Sequence, residues 1–289
     1  MKRALVLSGG GSKGQYHIGA LRHLLGDLER PYHILSGTSV GALVAGFLAM
    51  YPVGAEKQSA TELEHLFGRI TDEHIWKHWT FFRRAAGFWK PSFLNSKPLQ
   101  ELVSKEIDCA KIRASKKELR VVATSLTSGQ AHVFDQHQVP LDRAILASSA
   151  FPGMFLPVAM NGDLWTDGGV RNNTPLKSAI VAGADEVDVL VCAPADPTEG
   201  FSNRPKAFPT FLRAVDIMLD EATDADLRFA KLYNDLAGAP GYEDRRKVKL
   251  NIIRPDRELN EDPLTFNLGE AMLLREEGYR DAVAAMAGE

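Results

Sequence analysis

Gly37-Thr38-Ser39-Val40-Gly41 is the stretch around which the rest of the chain is arranged. It lies between a short apolar run, residues 32–35, and an apolar stretch, residues 42–50, that is typical of a buried helix. A strand that enters a helix through G-x-S-x-G makes a sharp turn and exposes its serine, an arrangement called a nucleophile elbow. The pattern is short enough to occur by chance, so other stretches must support a reactive Ser39.

The two glycines of this motif have a steric role. Side chains at Gly37 and Gly41 would collide with neighbouring backbone in so tight a turn. The helix that follows would direct the positive end of its dipole to the serine, where negative charge develops during acyl transfer.

A second glycine-rich stretch, Gly9-Gly10-Gly11-Ser12-Lys13-Gly14, follows the first predicted strand, residues 3–7. A helix with apolar residues at helical spacing comes next. Glycines allow backbone N–H groups to point at a ligand beside a helix N-terminus. The order strand, loop and helix therefore predicts either a ligand-binding loop or a simple tight turn.

Two nucleotide-binding interpretations of this loop fit poorly. The loop matches G-x-G-x-x-G, but a dinucleotide site also requires an acidic residue after the second strand, where Ser36-Gly37 stands. A P-loop requires Gly-Lys followed by Ser or Thr, which the loop lacks. An oxyanion hole with the N–H groups of Gly10 and Gly11 as donors fits better, and a turn without a ligand remains an alternative.

A third stretch, Asp167-Gly168-Gly169, follows a short predicted strand, residues 164–166. A carboxylate at the end of a strand, freed by two glycines, is well placed to enter a cleft. Asp-Gly is also a common turn sequence, and on its own the pattern favours an ordinary turn.

The usual base for a catalytic serine is histidine, and all eight histidines precede Asp167 in the chain. They are His17, His23, His33, His65, His74, His78, His132 and His137. A Ser-Asp-His triad in α/β-hydrolase order is therefore impossible with Asp167. An acid such as Asp108 or Glu118 with a later histidine is conceivable, but α/β-hydrolases place the elbow after several strands. A Ser39–Asp167 dyad, in which the carboxylate takes the hydroxyl proton, is more economical.

Strand and helix patterns alternate along the chain, which predicts an α/β fold with a mostly parallel central sheet flanked by helices. Strands are predicted at residues 3–7, 32–35, 119–125, 131–134, 164–166, 187–193 and 248–253. Helices are predicted at residues 42–50, 61–70, 99–107, 141–150, 208–236 and 266–286. A further helix would begin with Thr174 as N-cap and Pro175 as its first residue. We expect a single domain over residues 1–289, with one long surface loop at residues 196–209.

Composition narrows the function classes. A net charge of −3 lacks the basic surplus typical of nucleic-acid-binding proteins, so no nucleic-acid partner is expected. The two cysteines, Cys109 and Cys192, are far apart and predict no disulfide. The basic N-terminus precedes only a short apolar run, which is too short for a signal peptide. Residues 31–55 lack charge but are broken by glycine, serine and proline, so we expect a cytoplasmic protein.

Residues 74–94 mix aromatic and basic side chains and contain three of the four tryptophans. The aromatic residues are Trp76, Trp79, Phe81, Phe82, Phe88, Trp89 and Phe93, and the basic ones are Lys77, Arg83, Arg84 and Lys90. Such a mixture suits a lipid–water interface and would allow peripheral membrane contact. A cap that packs its rings on the core explains the pattern equally well, and the two interpretations are compatible.

Four motifs together resemble the patatin-like phospholipases, the family that includes cytosolic phospholipase A2-type catalytic domains. They are the glycine loop, the elbow, Ala147-Ser148 followed by Phe151-Pro152 and Pro157, and Asp167-Gly168-Gly169 followed by Asn173-x-Pro175. They occur in the order typical of the family and cover about residues 3–192.

The resemblance implies a patatin-like three-layer architecture and a serine hydrolase that acts on a phospholipid or another acyl ester. It implies Ser39 as nucleophile, Asp167 as base, and the N–H groups of Gly10 and Gly11 as oxyanion donors. Lys13 occupies a position that is usually basic in the family, where it could pair with an anionic headgroup. No cofactor or metal is required, and no D-x-D-x-D-G calcium loop occurs. An acyltransferase using the same dyad, and a non-catalytic nucleotide- or lipid-binding protein, are the alternatives.

Overall fold

A computed structural model describes residues 1–79, 91–138, 140–195, 206–259, 262 and 264–287. Its strands join in one eight-stranded mixed sheet. They are β1 (Arg3–Leu7), β2 (Ile34–Thr38), β3 (Glu118–Ser125), β4 (Ala131–Asp135), β5 (Val158–Met160), β6 (Asp163–Asp167), β7 (Glu186–Leu190) and β8 (Lys249–Ile253). The predicted α/β fold is confirmed.

The sheet has the order β5-β6-β3-β2-β1-β7-β8, and β4 pairs with β3 beside this path. Its centre, from β3 to β8, is parallel, while β6, β5 and β4 are added antiparallel. The hairpin predicted from residues 119–125 and 131–134 is the β3–β4 pair. The parallel centre matters for function because it brings the ends of β1 and β2 to the same edge.

Ten α-helices connect these strands within the described residues. They are α1 (Gln15–Leu21), α2 (Val40–Leu48), α3 (Glu56–Phe67), α4 (Asp72–Ile75), α5 (Lys97–Glu106), α6 (Cys109–Ser115), α7 (Leu141–Ser148), α8 (Leu176–Val181), α9 (Ala207–Leu236) and α10 (Leu268–Met286). Helix α1 continues into a π-helical turn, Arg22–Asp27. In the described part of the chain, no helix combines the length and apolarity needed to cross a membrane.

Helices cover both faces of the sheet, which gives the three layers that the family resemblance implied. Strand β1 shows the division: Leu5 and Leu7 join the core under α1, α2 and α7, whereas Ala4 and Val6 join the core under α8 and α9. Because successive side chains of a strand point to opposite faces, a strand buried on both faces is continuously apolar. That is why residues 4–7 of β1 form an unbroken apolar run.

Two helix predictions require correction. Thr174 does not cap α8, because the helix begins at Leu176 and Pro175 occupies the N-cap position. Thr174 instead donates its N–H to Asp226 (2.9 Å) and its hydroxyl to Thr223 (3.3 Å), both on α9. The Thr174 hydroxyl, which would have capped α8, thus contacts the distant helix α9 instead. Helix α3 starts at Glu56, earlier than the predicted residue 61.

Candidate active site

The three motifs meet at one edge of the sheet. Strands β1 and β2 are parallel neighbours, with Leu7 opposite Gly37, so the glycine loop and the elbow leave the sheet side by side. Strand β3 pairs with β2 on one side and β6 on the other. Its residues Val122 and Ala123 face Thr38 and Asp167, respectively, which places Asp167 one strand away from the serine.

The elbow has the predicted geometry. Ser39 has φ 56° and ψ −127°, a left-handed conformation that costs a non-glycine residue on the order of 1–3 kcal/mol. A Cβ atom on Gly37 would lie 2.2 Å from the Gly41 carbonyl oxygen, and one on Gly41 would lie 2.3 Å from that of Leu7. The steric role predicted for both glycines is therefore confirmed.

Two serines at the end of α7 hold the strained backbone of Ser39. Its N–H donates to the Ser148 hydroxyl (3.0 Å), and its carbonyl oxygen accepts from the Ser149 hydroxyl (3.1 Å). The sequence marked Ala147-Ser148 only as a family motif and did not mark Ser149. The available signal was a pair of serines directly after the apolar run at residues 144–147.

Asp167 is buried, with 3% of its surface exposed. Its Oδ1 accepts from the Gly169 N–H (2.8 Å), while Oδ2 has no hydrogen-bond partner among the described residues. Burial raises the pKa of this carboxyl to about 7, against the opposing effects of the Gly169 N–H and the Ser39 hydroxyl. The Ser39 hydroxyl is therefore near the carboxylate, although in the described structure Asp167 Oδ2 accepts no hydrogen bond.

Two N–H groups of the glycine loop have no acceptor among the described residues. Gly9 donates to the Asn173 carbonyl (3.0 Å), and Lys13 donates to that of Gly10 (3.1 Å). The N–H groups of Gly10 and Gly11 form no backbone hydrogen bond in the described part of the chain. Glycine is required at Gly11 by its φ of 57°, and at Gly10 because a Cβ would lie 2.7 Å from Cys192 Cβ.

The remaining motif glycines allow close approach of backbone or side chains. A Cβ on Gly14 would lie 2.3 Å from a Val40 methyl group, and one on Gly168 would lie 2.2 Å from the Val122 carbonyl oxygen. Ser12 lies in the same loop, and its hydroxyl donates to the Asp262 carbonyl (3.2 Å).

Lys13 does not occupy the position expected from its proposed headgroup contact. Its side chain is 4% exposed, and its ammonium group pairs with Asp216 (3.2 Å) and Glu258 (3.8 Å). Together with Asp220 these acids form a cluster of metal-ligand spacing, but Arg213 also pairs with two of them. Two cations therefore already pair with two of the three acids. No sequence signal linked Lys13 to acids about 200 residues away.

Two adjoining cavities share Ser39 in their walls. One is lined almost entirely by apolar side chains, including Phe47, Leu66, Phe67, Ile70, Leu99 and Val103. The other contains Gly9, Gly10, Gly11, Asp167 and Asn173, together with Leu212 and Leu219 of α9. Ser149, Phe155 and Phe266 line both. An apolar chain and a reacting ester group could thus lie on either side of one serine.

Residues beyond the motif-bearing segment complete this site. Leu264 and Phe266, which precede α10, line the cavity that holds Asp167, as do residues of α9. No role could be predicted for these residues because they carry no motif. Their apolar character alone does not distinguish a cavity wall from core.

No histidine lines either described cavity. His132 and His137 are exposed, and the acids considered as their partners have other roles. Asp108 caps α6, and Glu118 pairs with Lys2. His17 is buried, with its Nε2 atom 3.1 Å from Cys192 Sγ, and burial lowers its pKa to about 3.

The aromatic segment, residues 74–94, is only partly described. Trp76 donates its ring N–H to the Leu264 carbonyl (3.0 Å), and Trp79 donates to that of Ser92 (3.1 Å). Trp76 also packs against the core, as the cap interpretation expects. Residues 80–90, which carry most of the predicted membrane-contact side chains, lie outside the described residues.

Comparison with protein families decides the assignment. The family model for patatin-like phospholipases matches residues 5–180. The chain belongs to this family. The resemblance carried by the four motifs is therefore confirmed.

Two individual relatives are 30% and 25% identical to this chain over the matched residues. An uncharacterised NTE family protein of Mycobacterium tuberculosis is 30% identical over 189 residues, which cover 63% of this chain and 46% of the relative. Calcium-independent phospholipase A2-gamma of Oryctolagus cuniculus is 25% identical over 199 residues, 60% of this chain and 25% of that protein. The chain thus spans less than half the length of either patatin-like relative.

The fold of this patatin-like chain also resembles a solved structure. VipD from Legionella pneumophila aligns over 99% of this chain and 67% of its own, with a TM-score of 0.52 and 15% identity. At so low an identity, the likeness concerns the fold alone.

Proposed function

We propose that the protein is a serine lipid acyl hydrolase of the phospholipase or esterase type that works through a Ser39–Asp167 dyad. One observation carries the proposal: a strained serine lines the same cavity as a buried carboxylate, one oxygen of which has no partner among the described residues. Family membership supports it. The name of the phospholipase A2-gamma relative supports a lipid ester as substrate.

Acylation begins with proton transfer. Asp167 accepts the Ser39 hydroxyl proton as Oγ attacks the carbonyl carbon of the ester. Because burial raises the pKa of Asp167 to about 7, the carboxylate is a stronger base than an exposed aspartate and is still substantially ionised near neutral pH. The alcohol or lysophospholipid leaves with that proton, and the acyl group stays on Ser39.

The glycine loop stabilises the charge that develops on the carbonyl oxygen. The N–H groups of Gly10 and Gly11 have no backbone acceptor in the described structure, so they are available to an oxyanion. Such donors are each worth about 3 kcal/mol in other serine hydrolases. The N-terminus of α2 lies directly behind Ser39 and adds a favourable dipole.

The apolar cavity is the proposed acyl-chain site. It begins at Ser39 and extends between α3 and α5, away from Asp167. A chain held there would place its carbonyl carbon at the serine and leave the alcohol portion of the ester in the more polar cavity. A phospholipid, with an apolar acyl chain and a polar alcohol portion, fits these two cavities. Residues 74–94 remain a proposed membrane contact.

The test compares wild type with Ser39→Ala on p-nitrophenyl esters of increasing chain length and on phospholipid vesicles. We expect Ser39→Ala to abolish turnover on every substrate and wild type to prefer medium or long chains over acetate. Ser104→Ala, a serine on the exposed face of α5, is the matched control and should behave as wild type. Activity retained in folded Ser39→Ala would disprove the proposal.

A further inference from the structure

Asn173 has a buried oxygen that the steps above do not use. The side chain lies in the wall of the cavity that contains Ser39 and Asp167, and the residue is 5% exposed. Its Nδ2 donates to the Thr223 hydroxyl (2.9 Å) and approaches the Leu219 carbonyl (3.5 Å), both on α9. These two acceptors set the orientation of the amide.

Oδ1 of Asn173 lies close to both members of the dyad. The point where a Gly9 Cβ would stand is 2.3 Å from this oxygen and 3.2 Å from Ser39 Cβ. The corresponding point on Gly169 is 2.9 Å from the same oxygen and 3.2 Å from Asp167 Oδ1. The Asn173 oxygen is thus no more than 5.5 Å from Ser39 Cβ and no more than 6.1 Å from Asp167 Oδ1.

Two buried acceptors in this cavity have no partner among the described residues: Asn173 Oδ1 and Asp167 Oδ2. Leaving a buried acceptor unsatisfied is costly, and such atoms in native proteins call for an explanation. An ester cannot satisfy them, because it has no hydrogen to donate. A water molecule has two, and buried waters typically bind two to four polar groups.

We propose that Asn173 is the second acceptor for the water that hydrolyses the acyl-enzyme; this inference rests on the proposed function. One O–H of the water faces Asp167 Oδ2 and the other faces Asn173 Oδ1, which directs the oxygen lone pair to the acyl carbonyl. The water oxygen bonds to the carbonyl carbon as Asp167 takes one proton. The bond from carbon to Ser39 Oγ then breaks, Oγ recovers that proton, and the fatty acid leaves.

The same contact would discriminate between water and alcohols. An alcohol has one O–H, so an alcohol bound to Asp167 would place its alkyl group against Asn173 Oδ1 and leave that oxygen unsatisfied. A site that holds a hydrogen-bonding partner rejects analogues that lack the group. Asn173 would thereby favour hydrolysis over acyl transfer at a shared acyl-enzyme.

The decisive variant is Asn173→Ala, assayed with a p-nitrophenyl ester in the presence of methanol. The products are free fatty acid from hydrolysis and methyl ester from transfer. We expect release of the first equivalent of p-nitrophenol to keep its rate, while hydrolytic turnover falls about tenfold and the ratio of methyl ester to fatty acid rises about tenfold. Mass spectrometry should show acylated Ser39 accumulating in the variant.

Asn172→Ala is the matched control, because this adjacent side chain also has an unpaired buried oxygen but does not line the cavity. Its product ratio should equal that of wild type. An unchanged ratio in Asn173→Ala, or an equal rise in Asn172→Ala, would overturn the inference. If Asn173→Ala does not fold, Thr223→Val replaces it: releasing Nδ2 should raise the ratio at least about twofold, and an unchanged ratio overturns the inference.

Failure of the proposed function has a different signature. Wild type would then release no p-nitrophenol and show no acylated Ser39. A wild type that forms the acyl-enzyme, with variants that leave product partition unchanged, would reject only the role of Asn173.

Discussion

Two buried aspartates of the central sheet have opposite surroundings. Asp188, on β7, is fully buried and accepts hydrogen bonds from Arg30 Nε (2.9 Å), the Tyr32 hydroxyl (2.6 Å) and Asn251 Nδ2 (2.6 Å). Asp167, at the end of β6, is almost as buried but accepts only the Gly169 N–H within the described structure. The first carboxylate is fully compensated, and the second is not.

The pKa values of Glu186, which lies beside Asp188, and of Asp167 reflect this difference. Glu186, beside Asp188, is also buried, which by itself raises its pKa, but hydrogen bonds from Arg3, Asn251 and Lys249 outweigh burial and lower the pKa to about 2. At Asp167 burial prevails, and the pKa rises to about 7. A compensated carboxylate contributes to stability, whereas an uncompensated one is available for proton transfer.

The largest effect expected from this contrast is that of Asp167→Asn. The amide cannot take the Ser39 proton, so we expect kcat/KM to fall on the order of 10⁴-fold or more. Stability should be unchanged or increased at neutral pH, because a costly buried charge is removed. Ester hydrolysis and chemical denaturation measure the two effects.

Asp163→Asn is the control for that variant, since Asp163 begins the same strand and is only half-buried. We expect its activity to stay close to wild type. Wild-type rates in Asp167→Asn would remove the carboxylate from the mechanism.

The pH dependence of activity and of stability should run in opposite directions. Because Asp167 must be ionised to act, kcat/KM should rise about tenfold per pH unit below about pH 7 and level off above it. The pKa of Asp167 is raised from 3.8 in the unfolded chain to about 7 in the native state. Between about pH 4 and 7, the native state therefore holds a proton that the unfolded chain has already lost. The unfolding free energy should therefore fall across that window, by up to about 4 kcal/mol.

Asp167→Asn isolates this contribution. Burial also raises the pKa of Asp226 to about 7 and that of Asp220 to about 6, but these groups are present in both proteins. The difference between the two denaturation curves should thus be greatest near pH 7 and vanish near pH 4. Parallel curves would mean that Asp167 titrates in the native state as it does in the unfolded chain.

Local patterns were sufficient to predict most of the fold. The period of apolar residues located most strands and helices, because continuous apolar runs belong to strands that are buried on both faces. It missed three short elements: β5, α4 and α6. The steric requirement at Gly37 comes from the carbonyl of Gly41 within the same motif, whereas that at Gly41 comes from the end of β1, 34 positions earlier. Thr174 failed as a cap because α9, distant in the chain, offers better partners for its groups.

In the candidate site, residues marked by their neighbours in sequence could be predicted, and contacts between residues distant in sequence could not. Ser39 and Asp167 are marked by neighbouring glycines. The partners of Lys13, in contrast, lie on α9 and between β8 and α10. Charge patterns within a chain do not show which distant carboxylate a lysine will meet. The network around Asp188 was missed for the same reason: Arg30 and Asp188 are 158 positions apart.

The smallest of the expected effects concerns that network. Asp188→Asn removes a negative charge that contacts the buried Arg30 guanidinium, with which Glu186 also pairs. Removing one partner of a buried ion pair costs about 3 kcal/mol or more, so urea denaturation should show a lower unfolding free energy. Activity per folded molecule should be unchanged. Asp235→Asn, on the exposed face of α9, should change stability by less than about 0.5 kcal/mol. If Asp188→Asn lowered activity but not stability, the division between a compensated and a reactive carboxylate would be wrong.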